Sequence, residues 1–447
     1  MTTKMISRIF SARRTMCSFT RCKGPLRLLP TQEGTSVVRC ANTRIRIRVR
    51  SHSHHQHRCA SSMTTESSSA EAEAVATTDW DLLYPSPSAI NVTPLAESLR
   101  SRVRESIRKE GKPMLVGLLA NEGSHRLDSE LYSDRIQQTF EEDGIDYEVW
   151  RYPGDGEETN GGDGSSNGCL IPDEEQRRAK LRWIKDRIEK INERSDIDGA
   201  LVYYPIHPFG PKGPYKNRLT GVYYKTHDDH IRDLVHPSKD VEGLCGTKWF
   251  KIRDSRQKDP PAIYPCTALS VLRILEEYHI RNGEGENFRR TNDGVGSSNS
   301  TVEKASRQCW KDQTISIVNR SEIMGRPLAV MLAEKGATVY SIDINSILQF
   351  RPDGKRLRRC NLQTTTLENC LRESNVVVAG VPQADFRLSL SSISEGSTIV
   401  NVSEFPNVCE ETLFRERPDI KYIPQVGKVT VATLSMNLMN LKRNKKH

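Results

Sequence analysis

Apolar residues along most of the chain recur either every three or four positions, as in helices, or in short runs, as in buried strands. The first helical stripe follows Thr93-Pro94, which predicts an N-cap and a proline at the first helical position, and it ends at Gly111. Its apolar members are Leu95, Leu99, Val103 and Ile107. A run of strand length, Met114–Ala120, comes next, so the ordered part of the chain is predicted to start with a helix and a strand.

Helices and strands continue to alternate, which predicts parallel sheets with right-handed crossovers. Further strands are predicted at residues 145–150, 199–204, 314–319, 337–343, 376–379 and 398–402. Further helices are predicted around Tyr132-Ile136-Phe140 and Leu181-Ile184-Ile188-Ile191, and at residues 268–280, 327–335 and 430–441. Residues 314–343 read strand, helix, strand, which is typical of the start of a nucleotide-binding domain. The fold class predicted from this pattern is α/β.

Polar segments interrupt the pattern at two places. Residues 154–168 predict a solvent loop and residues 283–311 a surface insertion, because neither has a regular apolar period. We expect a disordered leader at 1–78, a first domain at 79–266 and a Rossmann-like domain at 267–429. The C-terminal helix, 430–445, is expected to pack back on the first domain.

The formal net charge of +9 is located in the N-terminal segment. Residues 1–62 contain thirteen Lys and Arg and one acid, Glu33, so they carry +12 and the remainder −3. This Arg-, Ser- and Thr-rich composition without a compact apolar stretch is typical of an organelle transit peptide, and predicts a mitochondrial or plastid location. The alternative is a translation start at Met63, before an acidic Ser/Ala-rich stretch, which predicts a cytoplasmic protein.

Other classes of function have less support. Arg44–Arg50 alternates Arg with Ile and Val as an RNA-binding strand does, but no aromatic platform accompanies it. The eleven cysteines form no Cys-x-x-Cys pair, and the run His52–His57 is typical of a solvated polar segment, so no metal site is expected. No window approaches the roughly 18 apolar residues that a membrane helix needs. We therefore expect no nucleic acid, metal or membrane partner.

The turn after strand 314–319 is a candidate nucleotide site. Asn319–Pro327 lies between a strand and a helix, where backbone N–H groups and the helix dipole can hold a pyrophosphate, although it is not a G-x-G-x-x-G turn. Asp343 ends the next strand, 24 residues after Asn319. A carboxylate there accepts hydrogen bonds from ribose hydroxyls and repels a 2′-phosphate, which favours NAD over NADP. The alternative is an aspartate that only caps the next turn.

Five segments in order resemble the methylenetetrahydrofolate dehydrogenase/cyclohydrolase family, over about residues 80–445. They are 198–205 (DGALVYYP), 239–243 (KDVEG), 265–267 (PCT), 319–327 (NRSEIMGRP) and 427–432 (GKVTVA). Their detail resembles the monofunctional NAD-dependent branch known from yeast. The resemblance implies an N-terminal βα substrate domain that binds folate, a Rossmann-like NAD-binding domain, a cleft between them, and a homodimer. It further implies NAD-dependent oxidation of 5,10-methylenetetrahydrofolate to 5,10-methenyltetrahydrofolate in one-carbon metabolism and purine biosynthesis.

Departures from the family pattern predict what the enzyme does not do. The bifunctional members carry a Tyr-x-x-x-Lys pair, and the resemblance places Tyr132 at the tyrosine and Ile136 at the lysine. In the family this lysine is the main polar participant in hydrolysis of the methenyl product, and a neighbouring glutamine is replaced here by Tyr203. We therefore expect dehydrogenase activity without cyclohydrolase activity. A bifunctional enzyme and a catalytically silent folate- or nucleotide-binding module are the alternatives.

The resemblance also implies the remaining site residues. Tyr132 would stack on the folate, and Glu242 matches an aspartate that hydrogen-bonds the pterin. Cys266 follows Pro265 at a helix start, where a helix N-terminus can lower a thiol pKa and let the thiol touch substrate or assist proton traffic. The cofactor residues implied are Arg320, Ser321, Gly325, Asp343, Ile344, Gly380, Val381, Pro382, Gln425, Val426 and Gly427. Without the family, Tyr132 is interpreted as a core side chain, Glu242 as a loop acid and Cys266 as a small packing residue. Residues 380–382 and 425–427 are then interpreted as ordinary turns.

Overall fold

The computed structural model describes residues 27–30, 35–40, 43–48, 83–84, 86–121, 124–153, 174–206, 224, 226–245, 263–280, 309–353 and 356–445. The chain divides into two compact units, Met1–Pro87 and Ser88–His447. The first unit contains three antiparallel strands, β1 (Arg27–Pro30), β2 (Thr35–Cys40) and β3 (Thr43–Arg48), within the predicted leader. The His52–His57 run and the 154–168 loop lie outside the described residues.

A three-stranded parallel sheet organises the first half of the second unit. Its order is β5–β4–β6, with β4 (Met114–Leu119) in the centre between β5 (Asp146–Arg151) and β6 (Gly199–Val202). The helices of this half are α1 (Thr93–Glu110), α2 (Ser124–Asp143), α3 (Glu174–Glu193) and α4 (His227–Leu234). Ile136 and Phe140 of the predicted α2 stripe are fully buried, as are Ile184 and Ile191 of α3.

A seven-stranded sheet organises the second half, in the order β10–β9–β8–β7–β11–β12–β13. Its strands are β7 (Thr314–Val318), β8 (Thr338–Asp343), β9 (Ser346–Asp353), β10 (Arg356–Leu362), β11 (Val376–Ala379), β12 (Thr398–Asn401) and β13 (Lys421–Ile423). The pairs among β8, β7, β11, β12 and β13 are parallel, whereas β9 at one edge pairs antiparallel to both β8 and β10. The helices are α5 (Cys266–Leu275, extended by a π-helical turn to Ile280), α6 (Gly325–Glu334), α7 (Leu367–Arg372), α8 (Glu410–Glu416) and α9 (Gly427–Asn444). The predicted α/β fold with parallel sheets is confirmed.

Two local predictions need correction, and one element was not predicted. Thr93 is the first residue of α1 rather than its N-cap, because the Asn91 side chain accepts from the Thr93 N–H at 2.9 Å. Trp310 is buried in the core, so the predicted surface insertion ends before it. The β9–β10 hairpin was not predicted, since its mixture of arginines and isolated apolar residues gives no clear period.

Two helices contact both sheets. In α1, Ala96 and Leu99 pack in the core of the large sheet, and Val103 packs in the core of the small sheet. In α9, Val429 and Ala432 pack in the core of the large sheet, and Leu434 and Leu438 pack in the core of the small sheet. The division at residue 266 stays a prediction. Within the described part of the chain, no helix is both long and apolar enough to cross a membrane.

A buried carboxylate joins α1 to α2. The Asp143 side chain is 0% exposed and accepts from Arg100 Nε and Nη2, both at 2.9 Å, and from Arg104 at 2.7 Å. Gly144, with a φ of +79°, ends α2 immediately afterwards. This ion pair therefore fixes the end of the helix that carries Tyr132.

Replacing Asp143 with Asn should lower the free energy of unfolding by about 3 kcal/mol, because two guanidinium groups lose a buried partner. Glu142→Gln is the matched control, since Glu142 also contacts Arg100, at 2.8 Å, but is 54% exposed. The free energy of unfolding of Glu142→Gln should fall by less than about 1 kcal/mol. Urea unfolding measures both, and equal losses would contradict a special role for Asp143.

Candidate active site

Three hydroxyl groups form a chain beside the carboxyl end of the small sheet. Tyr203, directly after β6, places its hydroxyl 2.5 Å from that of Tyr147 on β5. The Tyr147 hydroxyl lies 3.2 Å from that of Ser133 on α2. The ring of Tyr132, next to Ser133, meets the Tyr203 ring edge-on with centroids 6.1 Å apart. The predicted site residues Tyr132 and Tyr203 therefore lie together, and the chain adds Tyr147 and Ser133, which sequence reasoning missed.

The central strand makes room for these rings with a glycine. A Cβ on Gly117 of β4 would lie 2.7 Å from the Tyr147 hydroxyl and 3.2 Å from Cε2 of Tyr203. Gly117 pairs with Val149 on one side and Leu201 on the other, so the two tyrosines reach over it from both neighbouring strands. A side chain here would displace the hydroxyl chain.

Glu242 and Cys266 complete this cluster. The Cys266 N–H donates to the Glu242 carbonyl at 3.1 Å. Tyr132, Tyr203 and Cys266 pack in the same apolar cluster, and burial, followed by the nearby Cys266 and Glu242, raises the pKa of Tyr132 well above its usual range. The structure thus brings together all four residues predicted for the catalytic side.

Tight loop packing positions Glu242. Gly243 has a φ of +71°, and a Cβ on it would lie 2.7 Å from the backbone carbon of Tyr264. The Asp240 carboxylate accepts from the N–H groups of Leu244 at 3.2 Å and Cys245 at 2.9 Å. These contacts hold the loop that carries Glu242 against the residues that lead into α5.

Of the two interpretations of Cys266, the structure favours small buried packing over a thiol with a lowered pKa. Burial, and then the Glu242 carboxylate, raise the pKa of Cys266 to about 12. Its position at the start of α5 does not compensate for the loss of water. The thiol is therefore protonated near neutral pH, and a role as a thiolate does not fit this environment.

On the large sheet, the turn after β7 is the tightest feature of the candidate cofactor site. Gly325 starts α6 so close to the turn that a Cβ on it would lie 2.1 Å from the Asn319 carbonyl oxygen. The Ser321 hydroxyl accepts from the N–H groups of Met324 and Gly325, both at 3.2 Å. Ser321 therefore occupies the helix N-terminus where the sequence predicts a pyrophosphate.

Arg320 fastens this turn to β8 and β9. Its guanidinium donates to the hydroxyls of Ser341 at 3.1 Å and Ser346 at 2.8 Å, and to the carbonyls of both serines. Its Nη1 lies 3.8 Å from the Asp343 carboxylate, which is 44% exposed at the end of β8. Ile344, in the two-residue turn between β8 and β9, is 92% exposed. Asp343 is therefore at the strand end that the sequence predicts and is open to a ligand.

The remaining predicted cofactor residues lie in two turns: residues 380–382 follow β11, and residues 425–427 follow β13. Gly380 is buried, and the N–H and carbonyl of Val381 bond to the Asn407 side chain at 2.8 Å and 3.0 Å. Asn407 is fully buried and was missed, since no periodicity marks it. Pro382 and Gln425 are exposed, Val426 is buried, and Gly427 opens α9 with no atom within 4 Å of its Cβ position. All these groups lie at the carboxyl edge of the parallel strands, where ligands bind in open α/β sheets.

The two clusters belong to elements that approach each other. Helix α9 begins with Gly427 on the cofactor side, and its Leu434 and Leu438 pack in the same core as Ile136 of α2, the helix that carries Tyr132. Among the described residues, no three His, Cys, Asp or Glu side chains are grouped as metal ligands. The arrangement can hold a planar ligand beside Tyr132 and Glu242 and a nucleotide at the strand ends.

Glu242 gives this cluster a pH dependence. Burial, and then the Asp240 carboxylate, raise the pKa of Glu242 to about 8, against the opposite effects of Arg232 and the Val202 backbone. The folded protein therefore holds a proton that the unfolded chain loses near pH 4.5, its ordinary value. The free energy of unfolding should fall as pH rises from about 5 to 8.

The Glu242→Gln side chain stays neutral, so we expect the free energy of unfolding of this variant not to fall over that pH range. In the parent chain the fall corresponds to about 1.4 kcal/mol for each unit by which the pKa of Glu242 is raised. Denaturant unfolding at a series of pH values measures it. Glu395→Gln, at an exposed position, is the control and should keep the profile of the parent chain. Parallel profiles for the parent and Glu242→Gln would contradict the raised pKa.

Known proteins resemble the chain in both sequence and fold, although no protein-family model matches it. It is 29% identical over 373 residues to methylenetetrahydrofolate dehydrogenase (NAD+) of Dictyostelium discoideum, covering 81% of this chain and 97% of that protein. It is 26% identical over 371 residues to the Saccharomyces cerevisiae protein of the same name, covering 78% and 94%. The bifunctional protein FolD of Methanoculleus marisnigri is 24% identical over 58% of this chain.

The fold is similar to that of the solved NAD-dependent 5,10-methylenetetrahydrofolate dehydrogenase from Saccharomyces cerevisiae. The TM-score is 0.59 at 24% identity, over 80% of this chain and 98% of that chain. The resemblance read from the five sequence segments is confirmed: over about four fifths of its length, the chain is similar to NAD-dependent methylenetetrahydrofolate dehydrogenases.

Proposed function

We propose that the protein oxidises 5,10-methylenetetrahydrofolate to 5,10-methenyltetrahydrofolate with NAD+ and does not hydrolyse the product. The observation that carries the proposal is the grouping of Tyr132, Glu242 and Cys266 beside the small sheet, together with Asp343 exposed at a strand end of the large sheet. Hydride transfer needs alignment of the donor carbon with the nicotinamide more than it needs an acid or a base.

The substrate side suits a folate. The half-buried Tyr132 ring is held edge-on by Tyr203 and offers a face for the pterin. The Glu242 carboxyl, with its pKa near 8, is mostly protonated at neutral pH, so it can donate a hydrogen bond as well as accept one. The neutral Cys266 thiol adds a small surface that excludes water.

The cofactor side suits NAD. The cramped contact of Gly325 with the Asn319 carbonyl allows a close backbone approach, as dinucleotide turns require. Asp343 would accept from the adenosine ribose hydroxyls, and Arg320, held beside Asp343 by two serines, would stiffen the turn that takes the phosphates. NAD+, when bound, accepts the hydride.

The same residues account for the expected lack of cyclohydrolase activity. Ile136 is 0% exposed within the apolar cluster beside Tyr132 and offers no ammonium group. The Tyr203 hydroxyl is engaged by Tyr147. Neither side chain is placed to activate a water molecule.

Absorbance of the methenyl product tests this proposal directly, with the full chain, methylenetetrahydrofolate, and NAD+ or NADP+ in parallel. We expect NAD+-dependent accumulation of a persistent methenyl species. Preference for NADP+ would contradict the role of Asp343, and rapid decay of the methenyl species would favour a bifunctional enzyme. Folate or nucleotide binding without turnover would favour the silent module.

Asp343→Ser should raise kcat/KM with NADP+ by about tenfold and lower it with NAD+, because like-charge repulsion of the 2′-phosphate is removed. Asp312→Ser is the control, since Asp312 is exposed and precedes the first residue of β7, at the opposite edge of the sheet from Asp343. Steady-state kinetics with both cofactors measure the effect. An unchanged cofactor ratio in Asp343→Ser would show that Asp343 does not select the cofactor.

We also propose a homodimer, a role in purine biosynthesis, and organelle targeting by residues 1–62. The first rests on the family resemblance and is tested by light scattering of the purified chain. The last rests on composition and is tested by the location of a fluorescent protein fused to residues 1–62. A diffuse cytoplasmic signal would favour the start at Met63.

A further inference from the structure

The strand order places a crevice between β7 and β11. From β7 the chain passes through α6 to β8 on one side, whereas β11 and β12 lie on the other side. The connections therefore reverse direction at the β7–β11 pair. Ligands of open α/β sheets bind outside the carboxyl ends of the strands at such a point. Asn319 and Gly380 are the residues directly after these two strands.

Asn319 has an unfavourable backbone conformation. Its φ is +99°, the only positive value among non-glycine residues of the described chain. Such a conformation costs free energy for any residue with a side chain, and glycine adopts it readily. The position therefore favours glycine unless the asparagine side chain does something that glycine cannot.

The asparagine side chain bridges the crevice. Its Nδ2 donates to the Gly380 carbonyl, while its own backbone N–H donates to the Ile342 carbonyl of β8 at 3.1 Å. Gly380 in turn donates to the Val318 carbonyl at 3.0 Å. The next residue, Arg320, does not duplicate the bridge, because its guanidinium bonds to Ser341 and Ser346 on the other side.

We propose that Asn319 is a positioning residue for the dinucleotide: its side-chain amide holds the Gly380 carbonyl and so sets the spacing between the turn after β7 and the turn after β11. The inference rests on the proposed function, in which the turn after β7 takes the phosphates, and on the family resemblance, which makes Gly380 in the turn after β11 a cofactor residue. Loss of the bridge weakens the binding of NAD+ and leaves the folate side, built on the other sheet, unchanged.

Two substitutions separate this role from a merely structural one. Asn319→Gly removes the amide and also removes the backbone strain, so the unfolding midpoint should not fall. Asn319→Asp keeps the size but faces the Gly380 carbonyl with an acceptor. We expect the Kd for NAD+, measured by calorimetry without folate, to rise about tenfold in Asn319→Gly and further in Asn319→Asp. The KM for methylenetetrahydrofolate at saturating NAD+ should stay within twofold of the parent value.

Asn192→Asp is the matched control. The Asn192 amide also donates to a backbone carbonyl, that of Leu234 at 2.9 Å, but it lies on α3 beside the small sheet. The Asn192→Asp variant should bind NAD+ with the affinity of the parent chain. Parent-like NAD+ binding by both Asn319 variants would overturn this inference alone, as would equal losses on the NAD+ and folate sides. A parent chain that binds no NAD+ would overturn the proposed function and this inference with it.

Discussion

The contact of the Gly325 α-carbon with the Asn319 carbonyl oxygen is the constraint on which the large-sheet site depends. No side chain fits between them, since a Cβ would approach the oxygen to 2.1 Å. The turn is therefore compressed against the start of α6, and its consecutive residues point to opposite sides. Arg320 bonds to the β8–β9 side and Asn319 to the β11 side. One short turn thus connects three strand ends.

The small-sheet cluster depends on a different effect, which is removal of water. Burial raises the pKa values of Tyr132, Glu242 and Cys266 together, so the cluster carries less charge than its composition indicates. A neutral, water-poor surface suits a reaction in which a hydride leaves a carbon, because no proton donor or nucleophilic water is needed at that step. The packing of Gly117 and Gly243 maintains this surface.

The sequence predicts the regular elements well because apolar periodicity reports burial directly. The stripe Tyr132-Ile136-Phe140 and the run Val376–Ala379 lie where their spacing indicates. The β9–β10 hairpin was missed because an exposed edge carries charged residues and little periodicity. Tyr147 and Asn407 were missed because they come from separate elements and meet their partners only through strand register and loop packing. The direction of the Cys266 pKa shift could not be predicted, because burial, which outweighs the helix N-terminus, cannot be read from a local motif.

The position of α9 has a consequence for how the chain folds. The core of the small sheet includes Val431, Leu434 and Leu438, which pack with Leu115 and Ile136 from more than 290 positions earlier in the sequence. A nascent chain emerging from the ribosome cannot complete that core until α9 has been released. Val429 and Ala432 of the same helix pack in the core of the large sheet, so both cores are completed by one late segment, and the small sheet, although synthesised first, waits for it.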